Sequence, residues 1–190
     1  MDKFTLRAQI KELKAQVTPG KRKIEARYVF SSVQSLKAFR EAQKVLFYAS
    51  LPDELPTDEF LGSWAITKQV LLPRVNGDEL EILAYDPNHV RKGAFGISEP
   101  DGNDLVAPSD IDLIIVPAIA LDRHCNRLGR GRGYYDRLIK QCPQAYTIGV
   151  GLDCQFVDEV PVDDQDEPLC GVITASHVCF RRAFKGYEKH

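Results

Sequence analysis

One stretch, Asp112 to Lys140, constrains this chain more than any other. It opens with an apolar run, Leu113-Ile114-Ile115-Val116, closed by Pro117, as a strand buried on both faces would be. It closes with Tyr135, Leu138, Ile139 and Cys142 at spacing i, i+3, i+4, i+7, which predicts an amphipathic helix. Between them lies Arg127-Leu128-Gly129-Arg130-Gly131-Arg132-Gly133. Alternate glycines let a backbone turn sharply and approach a ligand, and the unpaired amides that open the next helix favour an anion. Arg123 and Arg137 add to the cations of this segment, set against Asp122 and Asp136. Strand, glycine turn, guanidinium groups and helix start together describe a phosphate site. No Gly-Lys-Ser/Thr follows at Walker spacing, and G-x-G-x-x-G does not fit. The competing reading is a solvated arginine-rich turn whose glycines only shape the loop.

The remaining chain reads as interleaved helices and strands. A helix is predicted from about 3 to 17 on the stripe Leu6, Ile10, Leu13, Val17. Thr18-Pro19 supplies an N-cap and a proline at the first helical position of a second helix, running to about Ser32. A third, short helix surrounds Leu36 and Phe39. Val45 to Ser50 reads as a buried strand running into the loop 51–56. A further helix starts at Thr57-Asp58-Glu59 with Phe60, Leu61, Trp64 and Ala65 on its core face. Gln69–Arg74 and Leu80–Tyr85 are strands joined by Asn76-Gly77, a hairpin signal. Tyr146–Val150 is another strand, and short ones follow at 173–174 and 178–180. This alternation argues for a three-layer αβα sandwich with a largely parallel, Rossmann-like sheet. At 190 residues the chain is expected to form a single domain, 1–190.

Composition narrows the function. A hydrophobic content of 44% with 27% charged residues is ordinary for a globular protein. The formal net charge of −2 argues against a general nucleic-acid binder, so the arginine cluster is local. Five cysteines, odd in number and without C-x-x-C, predict reduced and mostly buried thiols. No signal-like or bilayer-length apolar segment is seen. A cytoplasmic protein is expected, a monomer or weak homodimer without nucleic-acid or membrane partners.

The full string Arg127-Leu128-Gly129-x-Gly131-x-Gly133-Tyr134-Tyr135-Asp136, with Asp112 to Pro117 and Asp122 before it, resembles the signature of the 5-formyltetrahydrofolate cyclo-ligase (methenyltetrahydrofolate synthetase) family. Lys3-x-x-Leu6-Arg7 is similar to the family's N-terminal pattern, and 92–100, including Phe95 and Glu99, to its Gly-x-Phe-Gly-Ile-x-Glu-Pro segment. The resemblance departs at Ala118 and Leu121, where Gly and Phe are commoner, and at Cys170-Gly171, where an acid is frequent. It implies an α/β fold and ATP-dependent closure of 5-formyltetrahydrofolate to 5,10-methenyltetrahydrofolate, with ATP as co-substrate and Mg²⁺ as metal. ATP would meet Lys3, Arg7, Arg127, Leu128, Gly129, Arg130, Gly131, Arg132, Gly133, Tyr134 and Tyr135. Folate would meet Ala49, Glu54, Arg130 and Tyr134. Arg130 and Arg132 would be catalytic. Metal ligands would fall on Asp136 and, in the acidic loop 160–166, on Asp166, with Asp163 and Asp164 adjacent.

Two rival readings remain at this point. One is a non-catalytic nucleotide- or RNA-binding module using the Arg/Gly loop for contact. The other is a small-molecule kinase using the same loop on a different acceptor.

Overall fold

Along the central apolar run successive side chains point into different cores, and the fold is arranged to cover both. Leu113 and Ile115 enter one hydrophobic cluster, Ile114 and Val116 another, as the two-residue period of a strand requires. The computed structural model describes residues 1–92 and 98–182. In chain order these form α1 (Lys3–Ala15), α2 (Pro19–Ser35), α3 (Lys37–Glu41), β1 (Lys44–Leu46), α4 (Asp58–Ala65), β2 (Gln69–Asn76) and β3 (Glu79–Ala84). There follow β4 (Val90–Lys92), β5 (Ser98–Pro100), β6 (Leu113–Pro117), β7 (Ala120–Asp122), β8 (Arg127–Leu128), α5 (Tyr134–Gln141), β9 (Tyr146–Val150), β10 (Phe156–Val157), β11 (Gly171–Ile173) and β12 (Val178–Phe180).

The main sheet has the order β12-β11-β9-β6-β1-β2-β3. Its five inner strands are parallel and both edge strands antiparallel. On one face α2 presents Ala26, Val29, Phe30 and Val33, a clean i, i+3, i+4, i+7 stripe, and α4 presents Trp64. On the other, α5 presents Leu138 and Ile139. The three layers expected from the alternation are there. Trp64 is 1% exposed and packs against Phe30, Phe39 and Phe47, so truncating it to alanine should cost about 3–5 kcal/mol.

Local signals hold at several places. The Thr18 hydroxyl accepts from the Lys21 amide at 3.2 Å, and the Asn76-Gly77 turn joins β2 and β3 with Gly77 at φ +60°. Three expectations shift. The predicted strand 45–50 is assigned only to Leu46, because the chain leaves the ladder after Phe47 donates to the Leu71 carbonyl. Leu13 is 38% exposed, while Lys14 is 2% exposed in its stead. Ala65 is exposed, so α4 buries Leu61 and Trp64 with Phe60 half-buried. Phe95 lies outside the described residues, as does most of the polar tail.

All five cysteines are free. Burial, ahead of nearby Cys179 and Asp122, pushes the Cys125 thiol up to about 12, which keeps it inert. Among the described residues no helix is long and apolar enough to cross a membrane.

Candidate active site

Strand order dictates where a ligand can go. From β1 the chain moves to β2 and β3 on one side, then returns to place β6 and β9 on the other. The direction of winding therefore reverses between β1 and β6, and open α/β sheets bind ligands outside the carboxyl ends of the strands at such a point. Tyr48 and Ala49 follow β1, and Ala118 follows the last residue of β6, Pro117; all four line a cleft of about 1070 Å³. That volume is at or above the upper end of the usual range for a single small-ligand site, roughly 300–1,000 Å³.

The glycine loop forms one wall. Gly131 has φ +98° and Gly133 φ +67°, left-handed backbone that other residues rarely adopt. A Cβ on Gly133 would also lie 2.8 Å from the Arg137 guanidinium. Gly133 is the N-cap of α5, so the first amides of that helix are left for the cleft. The loop is braced from both sides. Arg7 of α1 donates from Nε to the Gly129 carbonyl at 2.9 Å. At the hairpin tip the Tyr134 hydroxyl donates to the Gly77 carbonyl at 3.2 Å, and Arg137 donates to the Asp78 carbonyl.

Glu54 stands opposite. Ser50 and Thr57 exchange two hydrogen bonds, each 3.1 Å, at the neck of the loop between them. Inside that loop the Leu51 amide donates to Glu54 Oε2 at 3.0 Å. Arg130 reaches across the cleft and donates from Nε and Nη2 to Glu54 Oε1 at 3.2 and 2.9 Å. Nη2 also reaches Asp53 Oδ1 at 2.9 Å. Arg132 is exposed and has no ion-pair partner among the described residues.

At the other end Arg127 donates from Nη2 to both carboxylate oxygens of Asp136 at 2.9 Å. Its Nε is buried without a partner. Lys3 pairs with Asp166 at 2.5 Å and Asp163 at 2.7 Å. Burial works against ionisation of Asp166, but the Lys3 ammonium and the Asp163 amide outweigh it and hold the carboxyl below its ordinary range. Tyr135 is half-buried beside Arg127, its ring 5.7 Å from the guanidinium carbon, and burial raises its pKa.

Every site residue expected from the sequence lines this cleft: Lys3, Arg7, Ala49, Glu54, the run Arg127 to Asp136, and Asp166. The buried Glu99 and the exposed Lys140 and Asp163 line it too, although none was assigned as a site residue. Glu99 sits in the 92–100 segment already singled out and Asp163 in the acidic loop beside Asp166; Lys140 had no signal beyond charge. Asp53, which Arg130 also reaches, lies outside the lining and pairs with Lys14 at 2.6 Å.

Such a cleft is of the kind an α/β enzyme presents: a glycine- and arginine-rich loop opens a helix on one wall, and a carboxylate after a strand faces it. The sequence model of the 5-formyltetrahydrofolate cyclo-ligase family matches residues 1–175, and the chain belongs to that family. The 5-formyltetrahydrofolate cyclo-ligase of Haemophilus influenzae is 29% identical over 177 residues, covering 88% of this chain and 95% of the relative. That of Escherichia coli is 29% identical over 178 residues, covering 89% and 98%. The solved structure of Aquifex aeolicus 5,10-methenyltetrahydrofolate synthetase is similar over 100% of this chain and 98% of its own, with a TM-score of 0.87 and 31% sequence identity.

Proposed function

We propose that the cleft converts 5-formyltetrahydrofolate and ATP to 5,10-methenyltetrahydrofolate, ADP and phosphate through a phosphorylated formyl intermediate, and that residues 1–190 form one cyclo-ligase domain of the cytoplasm. The observation that carries this reading is the convergence of the Arg/Gly loop, Lys3, Arg7 and Glu54 on one cleft.

The chemistry asks for alignment and charge compensation. A formyl oxygen on an amide-like nitrogen is a poor leaving group. Transfer of the γ-phosphoryl group to that oxygen makes an iminium phosphate and releases ADP. The neighbouring anilino nitrogen then attacks the formyl carbon, the C–O bond breaks with loss of phosphate, and the anilino proton leaves. No protein nucleophile is required. Backbone amides at Gly129, Gly131 and Gly133, with Leu128 and Tyr135 behind them, cradle the nucleotide phosphates. Lys3, Arg7 and Arg127 hold it from the edge. Arg130 and Arg132 neutralise charge developing on the transferred group. The pterin presents a fork of N–H donors to Glu54, with Ala49 and Tyr134 beside it. Arg130 now occupies Glu54 Oε1, so pterin binding frees its guanidinium for the phosphoryl group.

Asp136 and Asp166 offer oxygen donors on the nucleotide side. Among the described residues no group of three or more His, Cys, Asp and Glu could hold a metal alone. Mg²⁺ needs no such group: one or two carboxylates with phosphate oxygens and retained waters suffice. The donor set fits, and when bound the ion supplies positive charge between carboxylates and phosphates that otherwise repel. Arg127 and Lys3 balance those carboxylates now.

The test is the absorbance rise of methenyltetrahydrofolate in a mixture of protein, 5-formyltetrahydrofolate and Mg-ATP. Product should form with stoichiometric ADP. RNA retention without ADP release would favour the binding-module reading, and ADP release without methenyl product the kinase reading.

A further inference from the structure

We infer that Lys14 and Asp53 are a positioning pair that sets where Arg130 sits over the cleft. This rests on the reading above, in which Arg130 serves the transferred phosphoryl group. Lys14 is on α1, on the stripe of Leu6 and Ile10, and only 3% of its side chain is exposed. A buried ammonium is costly unless paired. Its partner is Asp53 Oδ2 at 2.6 Å, and the same carboxylate accepts from Arg130 Nη2 through Oδ1 at 2.9 Å. Asp53 is therefore a bridge between a buried, fixed cation and a half-exposed one in the cleft.

The geometry at the fixed end is over-determined. Arg22 of α2 donates from Nη2 to the Lys14 carbonyl at 2.8 Å and from Nη1 to the Pro52 carbonyl. The backbones that carry Lys14 and Asp53 are thus tied by one guanidinium. Burial works against ionisation of Asp53, but Lys14 and Arg130 outweigh it and hold its carboxyl below the ordinary range, as a carboxylate shared by two cations should be.

The pair matters most once folate is bound. Glu54 then serves the pterin, and Asp53 is the remaining acceptor that keeps Arg130 in place. How firmly Asp53 holds it depends on how much of its charge Lys14 already takes up. Without Lys14, the carboxylate is both less anchored and more available to Arg130, and the guanidinium is displaced from its working position. Lys14 does not line the cleft, so it touches neither co-substrate.

The experiment compares Lys14→Met in the wild-type and Arg130→Ala backgrounds, reading kcat, KM for each co-substrate and melting temperature. In the wild-type background kcat should fall about tenfold, with both KM values changed by less than about threefold, the scale of coupling within one ion-pair network. On Arg130→Ala the same substitution should lower kcat no further. If Lys14→Met does not fold, Lys14→Met/Asp53→Asn removes both charges, strands neither, and should show the same pattern. An equal loss of kcat in both backgrounds, or none in the wild type, overturns the inference while leaving Arg130's role intact. Wild-type turnover in Arg130→Ala itself removes Arg130 from the reaction, and the inference falls with it.

Discussion

The two ends of the cleft hold their carboxylates in different ways. At the end nearest α5 the Arg127–Asp136 pair is enclosed, its side chains 5% and 18% exposed. Across the cleft the Arg130 side chain is 46% exposed and divides itself between Glu54, itself 10% exposed, and Asp53, 48% exposed. An enclosed pair is costly to break because one charge is left without water. An open one is worth little to stability and exchanges partners readily. The contrast separates an enclosed guanidinium with one carboxylate from a half-exposed one shared between two.

Substitutions can sharpen that contrast. The largest effect should come from the open side. Arg130→Ala and Arg132→Ala should each lower kcat on the order of 10²–10³-fold, as loss of a transition-state donor does, with melting temperatures near wild type. Rapid-quench measurement of ADP formation checks this, and normal rates would dissolve the distinction.

Asp136→Asn should act on both properties. A metal ligand lost should raise the Mg²⁺ midpoint at fixed ATP by roughly 10–100-fold, the scale seen even for indirect partners. It also leaves Arg127 with a weaker partner, at about 1–3 kcal/mol in stability. The ion pair adds to the roughly 0.3–1 kcal/mol that an acid at a helix start contributes by itself. Asp166→Asn should shift the midpoint less, since Lys3 keeps Asp163. A lowered melting temperature with an unaltered Mg²⁺ midpoint in Asp136→Asn would make that carboxylate purely structural.

Glu54→Gln should weaken folate binding about tenfold or somewhat more, for the loss of charge-assisted hydrogen bonds, and leave ATP affinity close to wild type. Calorimetric titration of each ligand decides it; equal losses would mean that the open side does not sort the two co-substrates.

The smallest effect is in pH. Asp53 has its pKa lowered in the folded protein, so its contribution to stability is present above the ordinary carboxylate value and is lost as pH falls through the lowered one. Melting curves from about pH 7 to about pH 3 should show Lys14→Met, whose Asp53 is less depressed, losing that contribution at higher pH than wild type.

Much of this was legible in the sequence, for identifiable reasons. The run 113–116, the helix carrying Leu138 and Ile139, and the Asn76-Gly77 turn are set by local periodicity and turn chemistry, which a single sequence displays. The loop 127–133 was legible because glycine spacing and arginine density coincide. Lys14 was not. An apolar stripe is read by counting apolar residues, which favoured Leu13. What buries Lys14 is Asp53, a partner 39 positions away. Glu54 could be singled out by family likeness and its place after a strand, but its engagement with Arg130 depends on contact across the cleft. The reversal of winding between β1 and β6 is a property of strand order, which periodicity does not encode.

The exchange of hydrogen bonds between Ser50 and Thr57 has a consequence in time. Thr57 is fully buried, and both bonds at the neck join the same two residues. Within 51–56 the Pro52 carbonyl, the Asp53 carboxylate and the Leu55 carbonyl are held further by Arg22, Lys14 and Tyr48, so the segment opens only when these ties and the neck give way together. Within the loop the Leu51 amide is held by Glu54 and the Glu54 amide by the Leu51 carbonyl. Such a segment opens as a cooperative unit, so these two amides should exchange with solvent deuterium at a common rate. That rate should slow when a ligand occupies the Glu54 carboxylate, a clock for occupancy that does not depend on turnover.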